Sequence, residues 1–109
     1  MFKIVEDVTF TRPVTAYRPE GEKQVEETFS ATFRVVPPEE ADEFDLFATK
    51  GSTEFLKRVI VRLDDVGDAQ GTPIDYSDEV RDQVLRLPWA RNALARTYFE
   101  EVRGAKLGN

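Results

Sequence analysis

The stretch Val25-Glu26-Glu27-Thr28-Phe29-Ser30-Ala31-Thr32-Phe33-Arg34-Val35-Val36-Pro37-Pro38-Glu39-Glu40-Ala41 decides the fold class. Val25, Phe29, Ala31, Phe33 and Val35 share one parity, and Thr28, Ser30, Thr32 and Arg34 share the other. An alternation of period two is the mark of a strand with one buried face. Pro37-Pro38 stops it. Glu39, Glu40 and Asp42 then suit the first turns of a helix, where acids meet the positive end of the dipole. The period changes from 2 to 3.6 at this point.

Upstream, Phe2, Ile4, Val8 and Phe10 alternate, with Glu6 as the exception, and predict a first strand. Arg12-Pro13 is expected to break it. Val14, Ala16 and Tyr17 continue as a second extended piece. Pro19-Glu20-Gly21-Glu22 reads as a turn, because proline presets φ and glycine accepts positive φ. The expectation is an antiparallel hairpin across Pro19–Gly21, joined by the first strand into a small sheet.

Downstream, Ala41, Phe44, Phe47 and Ala48 follow helical spacing, with Gly51 as the expected C-cap and Ser52 or Thr53 opening the next helix. Phe55, Leu56, Val59, Ile60 and Leu63 make an apolar helical stripe. Asp64 to Tyr76 is a polar loop. Ser77 is an N-cap, with Asp78 and Glu79 in the first turn and Val80, Val84 and Leu87 as a short stripe. Pro88 ends that helix and can open the next. The last stripe runs from Trp89 through Ala93, Leu94, Tyr98 and Val102 to Gly104. The sequence therefore predicts a single α+β domain over 1–109: a sheet part at 2–36, three or four helices at 39–103, and a frayed tail at 105–109.

Composition removes whole classes of chemistry. The 109 residues carry 15 Lys+Arg against 21 Asp+Glu, a net charge of −6, with no His and no Cys. Without imidazole there is no Ser-His-Asp or Cys-His pair. Without thiols there is no disulfide, and a structural zinc site is implausible. The acidic loop fails the calcium register: with Gly71 at position 6, Val66 falls at position 1 and Ser77 at position 12. Gly67 and Gly71 do not frame a phosphate-binding loop. No catalytic, cofactor or metal site is therefore expected. An acidic chain with dispersed Arg and Lys is not expected to bind nucleic acid. The longest uninterrupted apolar run, Val59-Ile60-Val61, predicts no membrane span, and Glu6 and Asp7 interrupt any leader-like run. A cytoplasmic location is the expectation. The core of so short a chain is modest, and a partner or a second copy can complete it.

Eight Phe, three Tyr and one Trp carry the remaining information. Phe29, Phe33 and Phe55 fall at regular core spacing. Phe47, Trp89, Tyr98 and Phe99 are less firmly placed, and they are the candidate protein-binding anchors.

The order of elements from Phe55 to Gly104 resembles a family. Phe55-Leu56-Lys57-Arg58-Val59-Ile60-Val61-Arg62-Leu63-Asp64-Asp65-Val66, then Gly71-Thr72-Pro73-Ile74-Asp75-Tyr76-Ser77, then a helix ending Leu87-Pro88-Trp89 and running on to Tyr98, is similar to the small tail assembly chaperones of long-tailed phages and prophages. The likeness covers about half of the chain and lies in the ordered combination rather than in any one element. Where that family often has a tryptophan before the aspartate, this chain has Leu63. The resemblance implies a non-enzymatic chaperone in the bacterial host cell that binds the tape-measure protein and helps recruit tail-tube subunits, and it allows a homo-oligomer. The alternative is a structural tail or head-tail component retained in the particle.

Overall fold

The computed structural model describes residues 1–104, and the expected tail at 105–109 lies outside the described residues. The architecture is α+β. An antiparallel sheet of order β1-β2-β3 is built from β1 (Thr9–Glu20), β2 (Lys23–Arg34) and β3 (Ile60–Asp64). Four helices accompany it: α1 (Pro38–Ala41), α2 (Thr49–Val59), α3 (Asp78–Leu85) and α4 (Pro88–Val102).

The hairpin turns at Gly21-Glu22 alone, with Pro19, expected in the turn, already paired in β1 opposite Gln24. Glu20 pairs with Lys23, and Gly21 takes φ 62, a left-handed conformation that glycine adopts without steric cost. Period-two alternation then sorts the two faces. Val14, Ala16, Ala31 and Phe33 are buried on the helix side. The opposite face is polar and laced by cross-strand bonds, Thr11 to Thr32 at 2.8 Å and Thr15 to Thr28 at 3.1 Å.

The N-terminal expectations need correction. No strand covers 2–8; β1 begins at Thr9, and Phe2 and Ile4 are 94% and 91% exposed. Alternation alone does not make a strand when no neighbour supplies its hydrogen bonds. Only the root of this segment is tied down, where the Val35 amide donates to the Val8 carbonyl at 2.9 Å. Nor does Arg12-Pro13 interrupt β1. The strand runs through Pro13 and Pro19 because it lies at the sheet edge, where a missing outward N–H costs no ladder bond.

The middle of the chain also differs from its sequence reading. The expected long helix from Glu39 to Ala48 is one turn, α1, followed by an irregular loop at 42–48. Gly51 is not a C-cap but sits inside the first turn of α2, whose N-cap is Ala48 rather than Ser52 or Thr53. A Cβ on Gly51 would stand 2.0 Å from the Asp45 carbonyl oxygen, so the loop packs on the bare helix backbone. The expected helical stripe through Leu63 ends at Val59. Ile60 turns to φ −77, ψ 121, and the chain enters β3, which pairs with Ser30–Phe33 of β2 across a register shift at Thr32/Phe33. The β-branched run Val59-Ile60-Val61 favours that pleated environment.

The later elements follow their signals. The Ser77 hydroxyl accepts from the Val80 amide at 3.2 Å and caps α3. Pro88 opens α4, and Gly104 closes it with φ 70. The α3 stripe uses Leu85, 1% exposed, in place of the expected Leu87, which is 40% exposed. The core is one cluster under the sheet, with Phe33, Phe55, Leu56, Leu63, Leu85 and Leu94 fully buried. Among the described residues no helix is long and apolar enough to cross a membrane.

Candidate functional site

The four candidate anchors do not form one patch. Tyr98 is corrected from surface anchor to core residue: it is 2% exposed and lies among Phe10, Phe33, Phe55 and Phe99, with ring centroids at 6.1, 5.5, 5.4 and 5.1 Å. Its hydroxyl reaches the Val36 amide at 3.4 Å, so the polar tip of the ring finds a partner at the sheet end. Burial pushes the Tyr98 phenol above its ordinary pKa. Phe99 stacks on Phe55 at 5.5 Å, 10° between planes, and packs half-buried against the core.

Phe47 stands apart. It projects fully into solvent from the 42–48 loop, with its backbone amide held by the Asp45 carboxylate at 3.1 Å. Trp89 lies nine residues before Tyr98 on α4, about 13 Å away along the axis.

Trp89 lines a concavity. A cleft of about 170 Å³ opens between β2 (Glu27, Thr28, Phe29), the loop leaving β3 (Asp65, Val66, Gly67) and the α3–α4 junction (Val84, Leu87, Trp89, Ala90), with Ala16 also on its wall. The sequence explains its shape. β3 leaves β2 after the Ser30–Asp64 pair, and Asp65 takes φ 60, which swings the chain off the sheet. The gap beyond is walled by Phe29 on one side and by Trp89, the residue after the helix-opening Pro88, on the other. The lining is mostly apolar and includes the exposed residues Glu27 and Asp65. Such a lining suits an apolar side chain on a peptide rather than a reacting group.

The acidic loop has local structural uses. Asp68 Oδ1 accepts from the Gln70 and Thr72 amides at 2.9 Å each and organises the turn. Asp64 takes a two-pronged contact from Arg62, at 2.7 and 2.9 Å, which raises the Arg62 pKa. Among the described residues no group of three or more His, Cys, Asp or Glu is placed to hold a metal ion.

Sequence reasoning missed two features of this surface. Alternation assigns the side chains of Phe2 and Ile4 to a buried strand face, and they are exposed. Leu87 was assigned to a core stripe and lies on the cleft wall. Pro88 was the available signal for Leu87, since a residue before proline leaves the helical conformation and its side chain leaves the stripe.

No family model, no curated protein and no solved structure matches this chain.

Proposed function

We propose that this chain is a non-enzymatic tail assembly chaperone of a phage or prophage, which binds the tape-measure protein in the host cytoplasm and helps recruit tail-tube subunits. The resemblance over Phe55–Gly104 supplies the class. The observation that supports it is the cleft at Trp89: a lining that includes Phe29, Val84, Leu87 and Ala90 and that the chain leaves uncovered, with Glu27 and Asp65 also on it. A long apolar-rich client needs its side chains shielded until tube subunits replace the cover. A shallow cleft of this size takes one or two side chains, so each contact is weak and releases without ATP. Many copies along one client supply the avidity.

Phe47 is the second candidate contact, because an aromatic ring wholly in solvent buries a large area on any partner. Co-expression with a fragment of the neighbouring tape-measure protein tests the reading. Wild type should raise the soluble yield of the fragment and be pulled down with it. Trp89→Ala and Phe47→Ala should each lower capture. No gain in soluble fragment and no co-purification with wild type would overturn the proposal.

A further inference from the structure

The sheet has two unequal edges. β1 carries Pro13 and Pro19 on its outer side. On the other side β3 covers only Ser30–Phe33 of β2. Beyond the Ser30–Asp64 pair, β2 continues for seven residues, Lys23–Phe29, with no strand beside it. Strand alternation sends the backbone N–H and C=O of Gln24, Glu26 and Thr28 outward along this open edge. The cleft at Trp89 begins where β3 stops, so backbone donors and acceptors border an apolar pocket. That pairing of features is what an added strand uses: main-chain bonds for affinity, a pocket for alternate side chains.

The same chain holds a segment of matching chemistry that its own fold leaves unused. Phe2, Ile4 and Val5 are 94%, 91% and 63% exposed on an extended arm whose root alone is anchored. Phe2 and Ile4 share one parity and Lys3 lies on the other. On the open edge, that parity turns Phe2 and Ile4 toward Phe29 and Trp89 and sets Lys3 on the opposite face of the sheet, beside Glu26. Among the described residues Glu26 accepts only the Tyr17 hydroxyl, at 3.2 Å, and has no cation. Opposite charges side by side on neighbouring strands stabilise the added strand.

We infer that two copies of this chain exchange their N-terminal arms, residues 2–6 of each pairing with the open β2 edge of the other and seating Phe2 and Ile4 in the cleft at Trp89, while Asp7, at φ 56, and Val8, bonded to Val35, hold the root of the arm in its own chain. Area decides for a reciprocal exchange. At roughly 150 Å² for each of Phe2 and Ile4, and as much again on the surface that receives them, one arm accounts for roughly half of the about 1,200 Å² that a stable interface buries, and two arms reach it. The dimer requires no client, but its arms occupy the cleft that the chaperone reading gives to the client, so arm and client compete for one site.

Light scattering after size exclusion, on the full chain without client, tests it. Wild type should give twice the 12.5 kDa chain mass at micromolar concentration. The double variant Phe2→Asp/Ile4→Asp changes only exposed side chains and should give the monomer mass with unchanged thermal melting. Glu26→Pro removes a donor from the middle of the open edge and should also give monomer. Should it melt early, Glu26→Lys serves instead: it should weaken the dimer at least fivefold, and Lys3→Glu in the same chain should restore it. A wild type that stays monomeric up to about 0.5 mM, which would reveal even a dissociation constant near 100 μM, overturns the inference. So does a dimer that survives Phe2→Asp/Ile4→Asp, or one indifferent to Glu26→Lys.

Discussion

Gly51→Ala should destabilise this protein, against the rule for helices. In an open helical turn the change gains about 1 kcal/mol, because alanine loses less conformational freedom than glycine. Here the added methyl would stand 2.0 Å from the Asp45 carbonyl oxygen, 2.7 Å from its carbon and 2.9 Å from the Asp45 nitrogen. All three are backbone atoms and cannot rotate away. To reach ordinary contact the loop must retreat by about 1.4 Å, and that retreat loosens Phe44 from its edge-on contact with Phe55 at 5.7 Å. Overpacking of this kind costs about 1–3 kcal/mol, with the upper end fitting a rigid neighbour. Loss of loop packing adds to it and the propensity gain subtracts. The expected net loss is about 2 kcal/mol, or about 10 °C in melting temperature for a domain of this size. Urea unfolding followed by the fluorescence of Trp89, the only tryptophan, measures it directly. Lys50→Ala, exposed in the same turn, is the control and should change stability by less than about 0.5 kcal/mol. A Gly51→Ala variant as stable as wild type, or more so, would refute the claim that the 42–48 loop packs on the helix backbone.

Phe55→Ala should cost about 3–5 kcal/mol, since the ring is 1% exposed and central to the aromatic cluster; calorimetry on the variant checks this. Ser77→Ala removes the cap of α3 and should cost about 1 kcal/mol by urea unfolding, with Ser77→Asn retaining most of the stability. The folded state holds the Tyr98 and Tyr76 protons above the ordinary tyrosine pKa of 10.0, both chiefly through burial. Their contribution is therefore intact below pH 10 and lost as pH rises past it; melting curves between pH 8 and 11.5 should fall above pH 10, and less steeply in Tyr98→Phe. Phe47→Ala should leave melting within about 0.5 kcal/mol of wild type, because the ring touches solvent alone, so any loss of client capture in this variant is loss of contact.

The hairpin was legible because three local signals agreed: alternation from Val25 to Val35, a Gly21 turn, and the Pro37-Pro38 stop. The α3 cap and the α4 start were legible for the same reason, since Ser77 and Pro88 act through their own backbone neighbours. β3 was not. Phe55, Leu56, Val59, Ile60 and Leu63 satisfy a helical stripe throughout, and the register shift opposite Ile60 blurs the strand's own alternation. Only the run of β-branched residues at 59–61 hinted that the helix ends. Residues 2–8 failed in the opposite direction. Their alternation is real, but strand formation depends on a partner that no local pattern encodes. Among the site residues, adjacency on α4 said that Tyr98 and Phe99 point different ways, without saying which one the core claims. Phe10, Phe33 and Phe55 arrive from three distant segments to settle that for Tyr98. The cleft itself exists because β3 is shorter than β2, a tertiary fact with no single-residue signature.

The two prolines of β1 bear on how this sheet resists aggregation. With Pro13 and Pro19 on the outward parity, two of the six outward positions of a twelve-residue edge strand lack a donor. A passing extended chain cannot lay down a continuous ladder there. Under the chaperone role proposed above, the molecule would meet unfolded, apolar segments at high local concentration, where an open sheet edge is a hazard for seeding fibrils. Blunting one flank of the sheet confines strand addition to the other, so a stack cannot grow through the hairpin in both directions.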